Sequence, residues 1–83
     1  MSDIKMYGTR WCPDCHRAKQ VLARQNIAYD WIDIEQDTEA AAYVEKVNGG
    51  YKSVPTILFP DGSTLVEPDN ATLLKKLETL KQL

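Results

Sequence analysis

Short runs of alternating or continuous apolar residues are interleaved along this chain with longer stretches in which apolar residues return at helical spacing. Ile4-Lys5-Met6-Tyr7 alternates and stops at Gly8, as a short strand does. From Pro13 to about Gln25, Cys15, Ala18, Val21 and Leu22 share one side of a helix, with Arg17, Lys19 and Arg24 largely on the other, and Asn26 ends it. Tyr29 to Ile34 reads as a second strand. A helix between two strands makes a βαβ unit, so these strands are expected to be parallel with a right-handed crossover.

Farther on, Ala40, Tyr43, Val44 and Val47 recur at helical spacing from Thr38 to about Val47, behind Asp37 or Thr38 as a cap. Asn48-Gly49-Gly50 stops that helix, because glycine supplies the left-handed geometry a helix end often needs. Thr56-Ile57-Leu58-Phe59 is a continuous run and so a central strand. Pro60-Asp61-Gly62-Ser63 is a hairpin turn signal, which makes Thr64 to Glu67 an antiparallel partner ending at Pro68. Leu73, Leu74, Leu77 and Leu80 define a last helix over roughly Asn70 to Leu80. The order β-α-β-α-β-β-α predicts an α/β fold, a four-stranded mixed sheet flanked by helices on both faces.

Length and charge narrow this picture. With 83 residues the chain makes one domain, spanning 1–83. Only about 60–65% of the unfolded surface of so short a chain can be buried, so its core must be regular. The formal net charge of −2, with acids and bases interspersed, gives no footprint for nucleic acid or an anionic membrane. Met1-Ser2-Asp3-Ile4-Lys5 has no apolar signal-peptide core, and no run is long enough to span a bilayer. The expectation is a soluble, cytoplasmic monomer.

The chain's two cysteines, Cys12 and Cys15, are separated by two residues. Bridged, they close a loop too short to staple a fold, which argues against a secreted disulfide scaffold and for redox or metal chemistry in a reducing compartment. Proline is favoured as the first helical residue, so Pro13 starts the helix and leaves Cys12 as its cap. The free N–H groups of Asp14 and Cys15 then point at the Cys12 sulfur, and the positive helix end favours thiolate over thiol. Cys12 is the candidate nucleophile. Cys15, one turn further in and on the same side, can bring its sulfur within disulfide distance.

Neighbouring residues suggest roles around that sulfur. Asp14 suits the helix dipole but opposes a second negative charge on Cys12; the plain alternative is an exposed helix-start acid. His16, four residues after Cys12, falls on the same helical face and, protonated, favours the thiolate; the alternative is a solvated side chain. Trp11, in the loop beside the nucleophile, reads as a substrate-facing platform rather than core. Arg10 and Lys52 are candidates to attract an anionic thiol, against the default of solvated charges. Tyr7 and Tyr51 either line the groove or pack on the sheet. Cys12-Pro13-Asp14-Cys15-His16 also fits the pattern of covalent haem attachment, but that needs export and an axial partner. A zinc site takes four ligands as a rule and this loop supplies at most three, so no metal is expected.

With Trp11-Cys12-Pro13-Asp14-Cys15, Ser53-Val54-Pro55-Thr56 and the Asp61-Gly62 turn, the chain resembles the glutaredoxin family of thioredoxin-fold proteins over essentially its whole length. Within that family it is similar to the mycoredoxins and related short redoxins, which share a tryptophan before the first cysteine, a segment like Val47-Asn48-Gly49-Gly50 and a Leu-x-x-Pro like Leu65 to Pro68. The resemblance implies that Pro55 is cis and that the backbone of Val54 pairs like a strand with the cysteinyl part of a disulfide substrate. An X-Pro bond costs only about 0.5–1 kcal/mol in cis, so a fold can fix such a turn. It also implies a thiol-disulfide oxidoreductase acting on disulfide-containing proteins and small-thiol mixed disulfides and recycled by a reductase. Cys12 attacks, and either Cys15 or a second small thiol resolves the intermediate.

Two departures bear on the thiol. The Gly-Gly that follows the fourth strand in glutathione-using relatives is Val66-Glu67, and their lysine three residues before the first cysteine is Thr9. The low-molecular-weight thiol co-substrate, mycothiol or glutathione, stays open. Two rival readings accompany the resemblance: an iron–sulfur carrier in which two protomers hold a cluster through Cys12 and two small thiols, and a thioredoxin-like reductant recycled directly by a flavin reductase. Pro13 stiffens the loop and Cys15 offers a competing disulfide, both of which oppose the cluster.

Overall fold

In the computed structural model, which describes residues 3–81, seven elements follow the expected order. They are β1 (Lys5–Gly8), α1 (Pro13–Arg24), β2 (Asp30–Asp33), α2 (Thr38–Val47), β3 (Thr56–Leu58), β4 (Thr64–Val66) and α3 (Asn70–Lys81). Met1, Ser2, Gln82 and Leu83, which the one-domain reading includes, lie outside the described residues. The sheet order is β2-β1-β3-β4. β1 runs parallel to β2, with Gly8 opposite Asp33, and antiparallel to β3, with Tyr7 opposite Thr56. β4 pairs antiparallel with β3 through the Asp61-Gly62 turn, where Gly62 takes a φ of 86°. Among the described residues no helix is long and apolar enough to cross a membrane.

Strand alternation assigns residues to two cores. Ile4 and Met6, with Ile57 and Phe59, face α1 and α3 and pack against Ala18, Val21, Leu22, Leu73 and Leu77. Tyr7 points the other way, toward α2, and joins Ile34, Ala40 and Val44. Burying each large side chain of this kind contributes about 1.5–3 kcal/mol before the ordering entropy is met. Helix ends follow the sequence signals. Asp37, of the two caps on offer, accepts from the Ala40 N–H at 3.0 Å. Asn26 closes α1 with a φ of 56°, and Gly49 and Gly50 close α2 at 67° and 103°. The Gly50 N–H reaches back to the Glu45 carbonyl at 2.7 Å.

Small differences from the expected limits come from the ladder ends. Phe59 lies past the end of β3, where the turn begins: its carbonyl accepts from the Gly62 N–H at 2.9 Å and its N–H bonds the Ser63 carbonyl at 2.9 Å. Glu67 leaves β4 by turning to a φ of 48°, and its N–H bonds the Pro55 carbonyl at 2.9 Å. The consequence for chemistry lies at one edge of the sheet. Because β1 and β2 are parallel and β3 opposes them, three segments meet there: the loop after β1, the loop after β2 and the entry to β3.

Candidate active site

The loop after β1 carries the cysteines onto α1. Cys12 is the cap, with φ −83° and ψ 113°, and Pro13 is the first helical residue. The Cys15 N–H donates to Cys12 Sγ at 3.1 Å, an amide of the first turn used as a sulfur ligand. On the other side, Cys12 Sγ lies 3.9 Å from the Val54 carbonyl, to which its thiol donates. Val54-Pro55 is a cis peptide bond, as the resemblance implied. Cys12 is only 5% exposed. What remains open faces a groove of about 430 Å³ lined by Trp11, Asp14, Tyr51, Lys52, Val54 and Glu67, with Pro13 and Ser53 completing its wall.

Cys15 differs sharply. It is fully buried, and its thiol is pushed up to about 12, first by that burial and then by its hydrogen bond to Cys12. Both cysteines are free.

Around the groove the expected residues take these places. Trp11 is 68% exposed, so it stands as a surface rather than core, and its indole N–H donates to Glu35 Oε1 at 3.1 Å. Tyr51 is 73% exposed on the groove wall. Lys52 pairs with Glu45 at 3.5 Å, and Arg10, largely exposed, pairs with Asp33 at 3.9 Å. Asp14 pairs with Arg17 at 3.3 Å. His16 turns its Nε2 to the Arg10 carbonyl at 2.7 Å, which makes that nitrogen a donor and ties α1 to the loop ahead of Cys12. Tyr7 does not join them. It is buried, with its ring 5.0 Å from that of Tyr43 beneath α2, because position 7 of the strand faces the α2 side of the sheet. Of the two readings open for Tyr7, packing on the sheet is the one realised, and the substrate-binding one is corrected.

A second concavity of about 680 Å³ continues from the groove toward α2 and shares Trp11, Lys52 and Val54 with it. Thr9, where glutathione-using relatives place a lysine, sits in its wall, 3% exposed. Two residues went unassigned in the sequence: Glu35, which steadies Trp11, and Glu67, which contributes to the groove. A signal for Glu35 was available. Parallel pairing of β1 and β2 brings residues 9–12 beside residues 34–37, and the Ile34 N–H bonds the Gly8 carbonyl at 3.0 Å. Among the described residues no group of three or more His, Cys, Asp or Glu could hold a metal ion.

A four-stranded mixed sheet with a Cys-x-x-Cys at the start of α1 and a cis proline facing the first sulfur defines a redoxin of thioredoxin-like fold. The glutaredoxin family model matches residues 4–63, so the chain belongs to the glutaredoxin family. It is 46% identical over 74 residues to the "Putative glutaredoxin Rv3198A" of Mycobacterium tuberculosis (strain H37Rv), covering 89% of this chain and 88% of the relative. To Mycoredoxin 1 of Corynebacterium glutamicum (strain ATCC 13032) it is 40% identical over 80 residues, covering 96% of this chain and 99% of the other. Among solved structures, the glutaredoxin from Brucella melitensis superposes with a TM-score of 0.72 at 28% identity, over 100% of this chain and 88% of that one. The chain is thus a redox protein of the glutaredoxin and mycoredoxin type, with its two cysteines close together.

Proposed function

We propose that this protein is a thiol-disulfide oxidoreductase with Cys12 as nucleophile and Cys15 as resolving cysteine. The observation that carries the reading is the setting of Cys12 Sγ: it caps α1, receives the Cys15 N–H at 3.1 Å and sits 3.9 Å from the Val54 carbonyl, and Cys12 borders the groove. A substrate disulfide laid along Val54 presents one sulfur to Cys12 while the other points away as leaving group. Cys12 gives up its proton to solvent and attacks as the thiolate, which forms the Cys12–substrate S–S bond and breaks the substrate's own, and the departing thiolate takes up a proton. Two exits follow. Cys15 gives up its proton and attacks Cys12 Sγ, releasing the substrate thiolate, which takes a proton, and leaving a Cys12–Cys15 disulfide; or a second small thiol attacks the substrate-side sulfur and regenerates Cys12.

Trp11, Tyr51 and the Val54 backbone bind the substrate, and Lys52 and Arg10 lend it positive charge. Pro13, Asp14 and His16 tune the reactivity of Cys12 through the helix start. The thiol co-substrate is mycothiol, supported by the 40% identity to Mycoredoxin 1 and by Thr9 and Glu67 standing where glutathione-using relatives carry lysine and glycine. The whole chain acts as one domain, a cytoplasmic monomer reducing protein disulfides and small-thiol mixed disulfides, because a reducing compartment lets such a pair cycle.

Two measurements test this. Reacted with a small mixed disulfide and quenched in acid, the Cys15→Ser variant is expected to carry its adduct on Cys12 in peptide mass spectra; no adduct there refutes the nucleophile. Oxidised wild type is then offered mycothiol with its reductase, glutathione with its reductase, or a flavin thioredoxin reductase alone. Recovery of free thiols fastest with mycothiol is expected. Faster recovery with the flavin enzyme overturns the choice of thiol.

A further inference from the structure

Arg17 stands on the side of α1 expected to meet solvent, yet its side chain is only 34% exposed and its guanidinium is engaged by three acceptors. Nη1 donates to Asn70 Oδ1 at 2.7 Å, and Nη2 donates to Asp14 Oδ1 and to the Pro68 carbonyl, both at 3.3 Å. Asp14 lies in the first turn of α1, Pro68 is buried just after β4, and Asn70 opens α3. A planar guanidinium with acceptors in fixed directions orients what it joins, whereas an exposed point-charge pair contributes little. Arg17 thus ties the start of the helix that carries Cys12 to the segment between β4 and α3.

That segment forms one wall of the groove. Glu67 lines it, and the Glu67 N–H bonds the Pro55 carbonyl at 2.9 Å, one residue past the Val54 carbonyl that stands 3.9 Å from Cys12 Sγ. The contacts close a ring: from Cys12 across to Val54 and Pro55, on to Glu67 and Pro68, and back through Arg17 and Asp14 to Cys12. A second polar tie, Lys81 to Gln25 at 3.4 Å, lies at the far end of both helices. We propose that Arg17 is a positioning residue that fixes the Cys12 and Asp14 side of the groove against its Glu67 side, so that a disulfide substrate laid along Val54 also meets the Glu67 wall. This gives a task to the Leu-x-x-Pro run from Leu65 to Pro68, whose last carbonyl Arg17 takes. It rests on the reading of Cys12 as the sulfur that meets the substrate.

The test is single-turnover reduction of a cysteine peptide in mixed disulfide with 2-mercaptoethanol by the fully reduced, full-length protein. Released peptide thiol is read by chromatography after acid quench, over a range of peptide concentrations. In Arg17→Met the half-saturating concentration is expected to rise about five-fold while the limiting rate stays within about two-fold. Asn70→Ala, which removes one acceptor at an exposed position, gives about a two-fold rise that disappears in the Arg17→Met background. Arg17→Lys keeps the charge but has one nitrogen in place of the fork, and recovers less than about half of the loss. Lys81→Met, which cuts the distant tie, leaves both parameters unchanged. Variants are compared at a temperature where each keeps the far-ultraviolet spectrum of wild type, and where Arg17→Met does not fold, Asn70→Ala alone decides. An unmoved half-saturating concentration, full recovery by Arg17→Lys, or an equal rise in Lys81→Met overturns this role for Arg17. Release of no peptide thiol by wild type overturns the role of Cys12 instead.

Discussion

Cys12 and Cys15 are the same residue type on the same helix, three positions apart, and their surroundings could hardly differ more. Cys12 is the cap, with an amide at 3.1 Å, a carbonyl at 3.9 Å and its remaining opening on a groove. Cys15 is one turn deeper, wholly buried between β1 and the edge of Trp31, with its thiol pushed up to about 12 by that burial. One turn of helix converts a sulfur able to meet a substrate into one that can meet only its neighbour. In the proposed function, the roles of Cys12 and Cys15 therefore follow their depth along the helix rather than their residue type.

The largest expected effect breaks this contrast outright. Cys12→Ser is expected to lower disulfide reduction by more than about 100-fold, since the nucleophile is gone, whereas Cys15→Ser keeps turnover of small-thiol mixed disulfides within about three-fold. Coupled assays on both variants check it, and comparable losses in the two would erase the distinction.

Next comes the thiol that stays protonated. At about pH 8, iodoacetamide should label Cys12 in the native protein and reach Cys15 only after unfolding, as read from peptide masses. The same burial makes stability depend on pH. The unfolded thiol ionises near its ordinary value of about 8.5, while the folded one holds its proton to about 12. Across that window the unfolded state binds fewer protons, so stability falls as pH rises. Denaturant midpoints of wild type should drop more steeply than those of Cys15→Ser above about pH 8.5, and parallel curves would contradict the assignment.

Smaller effects lie on the rim and at the far end. An aromatic contact contributes about 0.5–1.5 kcal/mol beyond its area, so Trp11→Ala should raise KM for a disulfide substrate by about 2- to 12-fold with little change in kcat. Glu35→Gln, which weakens the bond holding the indole, should show a fraction of that.

At the turn between β3 and β4, Lys76 donates to Asp61 at 2.7 Å and, with the Ser63 bonds behind it, holds that carboxyl well below the usual carboxylate range. Stability from this contact is complete above the ordinary value of about 3.9 and is lost as pH falls below it. Lys76→Met should leave the sulfur chemistry alone, and its melting temperature should approach that of wild type between about pH 6 and pH 2. A gap that stays constant with pH would assign Lys76 to its place over the Phe59 ring instead.

Much of this could be read from the chain because it is local. Proline after Cys12, Asn26, Asp37 and the Asn48-Gly49-Gly50 run each act within one turn of backbone, so the helices begin and end where those residues stand. Alternation told which strand residues face inward without telling which face, and Tyr7 shows the cost: its exclusion from the groove is decided by α2 lying on that side of the sheet. Likewise, nothing adjacent to Glu35 or Glu67 marks them. They reach the site because separate loops meet at one sheet edge.

The sequence by itself determined the order of elements, the cap that presents Cys12 and the spacing that sets Cys15 one turn behind, all consequences of short-range backbone chemistry. Only the tertiary structure decided that Val54 stands across from the first sulfur and that Gly8 and Trp31 enclose the second. Contacts between residues 42 or 23 positions apart depend on strand order and register, which emerge when the whole sheet is assembled and both of its faces are covered.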